Sequence, residues 1–361
     1  MRATGLLLLT RLARRQNNRA MRRDDLIQDL VNSENPSIRW KVRIGVLDED
    51  PTSRAIKRLQ QQIRESPLVA ALLARRDDDG HIHARYNVYD KWHGAHWVLA
   101  ALADLGYPPH DESLFPLRDQ VLSHWLKDQF YREFDAGSRA QAYKRPGVPV
   151  MQGRYRRCAS QQGNALIAAT RLGLLDDRAD RLVERLLHWQ WPDGGWNCDK
   201  NPSADTSSFM ETLLPMRGLA AYARHEGDAG ALCAKAQRAA RKAADVFLTR
   251  RLFKRRADGS VIAQGFTALH YPVYWHYDIL AGLKAMAELD QIRTPRCADA
   301  LDLLEAKELE SGGWAADDRY FKTTSKPVLG GDYVNWGSSR KSMNEWITTD
   351  ALSVLHAAGR L

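Results

Sequence analysis

The sequence predicts an all-α protein, a double-layer α/α barrel of about six helical hairpins, and three observations predict it. The first is a recurring frame. Gln190-Trp191-Pro192-Asp193-Gly194-Gly195-Trp196 follows the apolar run Leu182 to Leu187, and the frame returns as Glu308…Gly312-Gly313-Trp314 after Leu301 to Leu304. Fainter copies are Arg255…Gly259…Val261 and Arg76…Gly80…Ile82. The four frame glycines are 114, 65 and 53 residues apart, and 114 is twice 57, so one more degenerate repeat belongs between the first two. A unit recurring at this period is the mark of a repeat architecture. The second observation is the scarcity of strand-like alternation among segments rich in Ala, Leu, Arg and Glu. The third is that two kinds of helix alternate along the chain. One kind is amphipathic, and the other is apolar nearly all round and therefore buried on every side.

The elements follow in order. Asp24-Asp25 caps a helix through Leu30, and Pro36-Ser37 starts a second over Ile38 to Leu47. Ser66-Pro67 opens a helix through Leu73 that stops in the turn Asp77-Asp78-Asp79-Gly80. After each glycine turn comes a polar, aromatic-rich loop and then a buried helix. These are His96 to Leu105, Asn164 to Leu172, Phe209 to Leu219, Tyr277 to Leu283 and Trp346 to Leu355. The amphipathic helices, such as Arg181 to Leu187, form the outer layer. With the layers alternating, the N-termini of the inner helices meet at one end, and their first-turn polar groups converge on a central cavity.

At 361 residues, 44% hydrophobic and 27% charged, the composition is that of a globular protein. The formal charge of +9 is mostly local. Residues 1–23 hold seven arginines and no acid, and the rest of the chain is only about +2. Those residues read as a basic tail, disordered or outside the native protein, ahead of one domain over 24–361. The balance gives no reason to expect nucleic acid as a partner. No apolar run is long enough to span a bilayer, although peripheral membrane contact is compatible with an apolar ligand. Four cysteines without CxxC spacing fit a reduced, cytoplasmic setting.

The Gln190…Gly194-Gly195-Trp196 frame resembles the QW repeat of squalene and oxidosqualene cyclases. The alternating helices resemble the α/α toroid shared by those cyclases and the β-subunits of protein prenyltransferases. The resemblance covers most of residues 66–361 and implies a terpenoid cyclase-like or prenyltransferase-like enzyme holding an isoprenoid, or another small or long apolar ligand, in a central cavity. It also implies that Gln190, Trp196 and Trp314 are structural staples. The chain departs from the cyclases in having no DxDD acid, so Asp278 or Glu211 is the candidate for a single catalytic acid. Asp176-Asp177-Arg178-Ala179-Asp180 matches DDxxD but reads as a helix start.

Protein prenyltransferases hold zinc with an Asp-x-Cys and a later His. Here Asp205-Thr206-Ser207 and His276 occupy those places, with a serine where the thiol would be. Cys158 and Cys198 can restore thiolate ligation, so Cys158, Cys198, Asp205 (or Asp199) and His276 form the expected zinc set. Two loops dense in aromatics and histidine, 86–97 and 271–278, nominate His93, His96, His276 and Asp278 as catalytic residues, with Trp92, Trp97, Tyr274 and Trp275 as the apolar binding wall. Arg154, Arg156 and Arg157 before a buried helix form a candidate diphosphate cradle. Two rival readings are a non-catalytic toroid binding a lipid or a protein, and a metal-dependent or glycan-active α/α barrel whose acid pair would be Glu211 and Asp278.

Overall fold

The computed structural model of the protein describes residues 22–225, 230–326 and 328–361. The architecture is all-α with extensive helix–helix packing. The helices are α1 (22–31), α2 (Pro36–Gly45), α3 (Arg54–Arg64), α4 (Pro67–Leu73), α5 (Ala95–Leu105), α6 (Phe115–Trp125) and α7 (Arg139–Tyr143). They continue as α8 (Ala159–Arg171), α9 (Asp177–His188), α10 (Phe209–Ala223), α11 (Ala231–Leu248), α12 (Ile279–Glu288), α13 (Ala298–Ala306) and α14 (Glu345–Ala358). Short strands lie in the loops. β1 (Glu133–Asp135) pairs in parallel with β2 (Val148–Met151), which pairs antiparallel with β3 (Arg154–Tyr155). A two-residue parallel pair, β4 (Lys322–Thr323) and β5 (Gly331–Asp332), lies before α14.

The packing partners divide the helices into two sets, the first of which includes α2, a helix the sequence does not mark as buried on every side. α2 packs on α5, α5 on α8, α8 on α10, α10 on α12, α12 on α14, and α14 on α2. The amphipathic helices lie against this set: α3 on α2, α4 on α5, α6 on α5 and α8, α9 on α8, α11 on α10, and α13 on α12. In α9 only the stripe Ala179, Leu182, Val183 and Leu186 is buried, whereas α10 is buried from Thr212 through Ala220. Buried apolar side chains make one large cluster from Leu26 to Leu355, and a small second one of Phe134, Ala136, Ala142 and Met151 lies around β1, β2 and α7. The closest helix contact is between α8 and α10, where a Cβ on Gly163 would stand 2.3 Å from the backbone nitrogen of Pro215. That proline lies inside α10 and removes a backbone N–H from the contact. Helix α6 lies in the interval between Gly80 and Gly194, against α5 and α8.

The recurring frame is a repeated hydrogen-bonded joint. Gly80, Gly194, Gly259 and Gly312 all take positive φ, between 71° and 102°, in the left-handed region that glycine enters without a Cβ clash. Trp196 Nε1 donates to Leu186 O at the end of α9 (3.0 Å), and Trp314 Nε1 donates to Leu304 O at the end of α13 (2.7 Å). The backbone N–H of each tryptophan donates to a threonine in the first turn of the next helix, Thr212 at 3.1 Å and Thr348 at 2.9 Å. Gln190 Nε2 donates to Gly194 O and across to Ala239 O of α11. Both tryptophans are buried.

Several boundaries differ from expectation: α8 starts at Ala159 and not Asn164, α10 runs on to Ala223, and α12 spans Ile279–Glu288 and not Tyr277 to Leu283. The second helix stops at Gly45, with Val46 as its C-cap, and does not reach Leu47. Arg23, assigned above to the basic tail, is buried in α1, with its guanidinium 2.9 Å from Glu308 and donating to Arg360 O at 2.8 Å. A charge pattern gives no sign of such a partner 285 residues away. Arg22 of the expected tail also lies in α1 and donates to Glu310 O at 2.7 Å, and residues 1–21 lie outside the described residues. Among the described residues, no helix is long and apolar enough to cross a membrane.

Candidate functional site

Two loops and two helix N-termini build the most reactive cluster of side chains. Cys158 is the N-cap of α8. The backbone of Arg156 bridges Asn197, and Arg157 N donates to Asn197 O at 3.2 Å, which sets Cys158 beside Cys198. Glu211 comes from α10 through a modified capping box. Ser208-Phe209-Met210-Glu211 has the S-x-x-E spacing in which the glutamate normally returns to the serine N–H. Here that N–H donates to Trp196 O at 2.9 Å, so the Glu211 carboxylate is released toward α8. Its Oε2 accepts from Ser160 N at 3.0 Å, and its Oε1 accepts from Cys198 Sγ at 3.3 Å.

One sulfur from each of Cys158 and Cys198 and a carboxylate oxygen of Glu211 all lie within 4.8 Å of one another, on half-buried residues. Burial raises the Glu211 carboxyl above its ordinary range. The Cys198 thiol is also pushed up, by hydrogen bonding to Cys158, then by burial and the charge of Glu211. Both shifts favour the protonated forms of Glu211 and Cys198 unless a cation joins them. A donor set of two sulfurs and one oxygen with a face open to solvent suits Zn²⁺ with a position left over.

The surroundings add one positive charge. Arg157 is buried against Phe130 and Trp189, its guanidinium carbon 4.8 and 5.7 Å from their ring centres. Burial lowers its pKa, against the charges of Cys158 and Glu211. With its amide oriented so that the oxygen faces Arg157, Gln162 donates to Cys158 O at 3.1 Å. The Tyr89 hydroxyl is kept protonated, first by burial and then by the charges of Glu211 and Cys158.

The expected zinc set is thus divided. Cys158 and Cys198 come together, and the third member is Glu211. Asp205 is exposed and outside the group. Asp199 is exposed and accepts from Asn201 N, while Ser207 is tied to Asp193 through its N (2.7 Å) and hydroxyl (2.6 Å). His276 stands elsewhere, stacked between Trp275 (4.0 Å) and Tyr320 (3.5 Å). Of the cradle arginines, Arg156 is committed to Ala204 O at 2.9 Å and Arg154 to Gln152 O at 3.3 Å; only Arg157 reaches the cluster.

The aromatic loops meet as a wall. Trp92 stacks on Tyr274 with ring centres 3.6 Å apart, and Trp97 meets both edge-on at 4.7 and 5.6 Å. Tyr274 Oη donates to Asp332 at 2.6 Å. All three rings line an internal cavity of about 80 Å³. Trp275 lies off it, under Lys91 Nζ at 4.8 Å.

The histidines and Asp278 are mostly engaged. His96 Nδ1 accepts from Trp125 Nε1 at 3.2 Å, and its Nε2 faces the Asn164 amide at 3.2 Å. An indole N–H can only donate, so the proton is on Nε2 and Asn164 presents its oxygen. His93 is buried with no partner for Nδ1 among the described residues. Asp278, fully buried, caps α12 by accepting from Ala281 N (2.7 Å) and holds the His270 ring at 3.0 Å. It does not line the cavity. His270 was not anticipated, because it precedes the aromatic run that drew attention to the loop.

The other end of the cavity is a partly buried charge network that no local motif announces. Lys41 bonds Asp104 (2.8 Å) and Asp350 (3.2 Å), and Lys284 bonds Asp350. Glu288 accepts from Arg171 (2.6 Å) and from two nitrogens of Arg217 (2.7 Å each). Tyr271 Oη donates to Asp104 at 2.8 Å.

No protein-family model matches the chain, and no curated protein matches its sequence.

Proposed function

We propose that the protein is a metal-dependent α/α-toroid enzyme in which Cys158, Cys198 and Glu211 hold zinc, with a separate small apolar lumen lined by Trp92, Trp97 and Tyr274. The observation that carries this reading is the convergence of the three ligand atoms at the N-termini of α8 and α10, with Arg157 alongside. The toroid part is supported by the packing order, in which α2, α5, α8, α10, α12 and α14 each meet the next and the last meets the first.

Zinc bound there would supply Lewis acidity and lower the pKa of a coordinated water or thiol. The chain's own residues do the rest. Ser160 N–H orients one Glu211 oxygen, Arg157 offsets the negative charge of the ligand set, and Tyr89 keeps its proton beside it. Of the two activities that the architecture resembles, the prenyltransferase-like one is better supported, because two cysteine sulfurs converge with a carboxylate and the sequence has no DxDD acid. The lumen favours a small apolar or short isoprenoid group, since about 80 Å³ has no room for a long chain.

Metal analysis of the purified protein tests the centre. About one zinc per chain is expected in the wild type, with most of it lost in Cys198→Ser and Glu211→Gln. A wild-type protein without zinc or another transition metal overturns the proposal.

A further inference from the structure

We infer that the turn after α11 is a binding pocket for a compact phosphate-rich anion, one that carries two or more phosphate groups close together. The pocket shares no residue with the zinc ligands or the lumen, and it goes beyond the function proposed above.

The sequence concentrates positive charge at this turn, which is the Arg255…Gly259…Val261 copy of the recurring frame. Residues 249–260 hold five cations and one acid, in a chain that is only about +2 over residues 24–361. The fold gathers those cations around one hollow. A pocket of about 360 Å³ is lined by Arg250, Arg251, Lys254, Arg255 and Arg256 and, among the described residues, by no carboxylate.

Five like charges repel one another, so other contacts must hold the turn. Leu252 and Phe253 lie between the cations in sequence and are buried in the core, and Tyr277 Oη donates to Leu252 O at 2.7 Å. Arg251 and Leu252 take positive φ, 43° and 68°, a region that residues with a Cβ rarely enter. The chain reverses there and again beyond Arg255, whose N–H donates to Ser260 O at 2.7 Å while Lys254 bridges Val261.

The side chains are steadied without being used up. Arg250 Nη1 donates to Val246 O at 3.0 Å, and Arg255 Nη2 donates to Ile262 O at 3.1 Å. Arg251 Nη1 and Lys254 Nζ share one oxygen of Asp299, at 3.1 and 2.5 Å. Arg256 is exposed and has no partner among the described residues. Of the neighbouring acids, Asp258 accepts from Ser260, and Asp245 pairs with Arg296. Even with Asp258 and Asp299 counted, three of the five positive charges are unanswered. A guanidinium has five N–H donors, so most of those in the pocket stay free for oxygen acceptors.

The shape selects the ligand. Guanidinium forks meet phosphate oxygens in pairs. The cations ring one hollow and do not line a track, and the rest of the chain adds no positive excess, so a polynucleotide finds no continued path.

Calorimetric titration of the purified protein with pyrophosphate and with sulfate, at about 50 mM salt, tests this. Pyrophosphate should bind with a dissociation constant below about 1 mM, at least about tenfold more tightly than sulfate. Arg255→Gln/Arg256→Gln, both exposed on the turn, should weaken it about tenfold or more in a protein that still melts cooperatively. Lys57→Gln/Arg58→Gln, which removes the same charge from exposed positions of α3, should leave the affinity within about twofold. Flotation with phosphatidylcholine vesicles carrying a phosphoinositide bisphosphate separates the sources. Vesicle binding that needs Arg255 and Arg256, without pyrophosphate binding, assigns the same pocket to a lipid headgroup. A wild type that binds neither pyrophosphate at about 10 mM nor the vesicles overturns the inference. So does equal affinity for pyrophosphate and sulfate, or equal weakening by the two double variants.

Discussion

His96 shows at the scale of one residue what the interior demands. Burial, then the neighbouring His124, lowers its pKa to about 3, and both ring nitrogens already have neutral partners. The unfolded chain protonates this ring near pH 6.5. Between pH 6.5 and 3 the unfolded state therefore binds the extra proton, and stability falls as pH falls. At pH 5 the loss from this residue is about 2 kcal/mol. Urea unfolding at pH 7.5 and pH 5 should show that decrement in the wild type and a smaller one in His96→Gln. An equal decrement in both would place the acid sensitivity elsewhere. The imidazole is thus a neutral brace between α5, α6 and α8, which its position at the start of an inner helix did not distinguish from a catalytic base.

Among the elements, the joint that ends α9 and α13 is a repeated unit. Thr212 and Thr348 each accept from a tryptophan N–H, and each also donates to that tryptophan's carbonyl at 3.3 Å. Thr→Val keeps the shape and leaves a buried N–H without its partner, which costs about 1–3 kcal/mol. Chemical denaturation of Thr212→Val and Thr348→Val should give losses of similar size, because the two joints are built alike. A loss at one and none at the other would mean that only one joint is structural. These joints were legible, since the Gln/Gly/Trp frame repeats and the buried helices after it carry no exposed face. The candidate centre was legible in part. Cys158 before a buried helix and Cys198 in the loop ahead of the next one stood out as thiols, but Glu211 sits in an S-x-x-E box, which normally satisfies itself. Only the Trp196 carbonyl, placed by the fold, diverts it. The charge network at the other end of the cavity was not legible at all. Lys41 and Asp350 lie 309 residues apart, and nothing in the neighbourhood of either names the other.

In the molecule as a whole, the two ends of the described chain are fastened to each other. Helix α14 packs on both α12 and α2, Lys41 of α2 bonds Asp350 of α14, and Ser33 bonds Glu345 at 2.9 Å. Arg23 of α1 bonds Glu308 just after α13 and the carbonyl of Arg360. In an open stack of hairpins the end units would contact only one neighbour and could fray independently. Joined ends remove that freedom, so loss of α14 exposes faces of both α2 and α12 and leaves Lys41 short of a carboxylate. Breaking a buried pair by removing one partner costs about 3–5 kcal/mol. The full chain should therefore unfold in one transition, with far-UV circular dichroism and tryptophan fluorescence superimposing. Asp350→Asn should shift that single transition to lower denaturant without splitting it. Two separated transitions in the wild type, or an Asp350→Asn variant in which the α1–α2 region melts first by hydrogen exchange, would show that the ends are stabilised independently and that the proposed ring is not the cooperative unit.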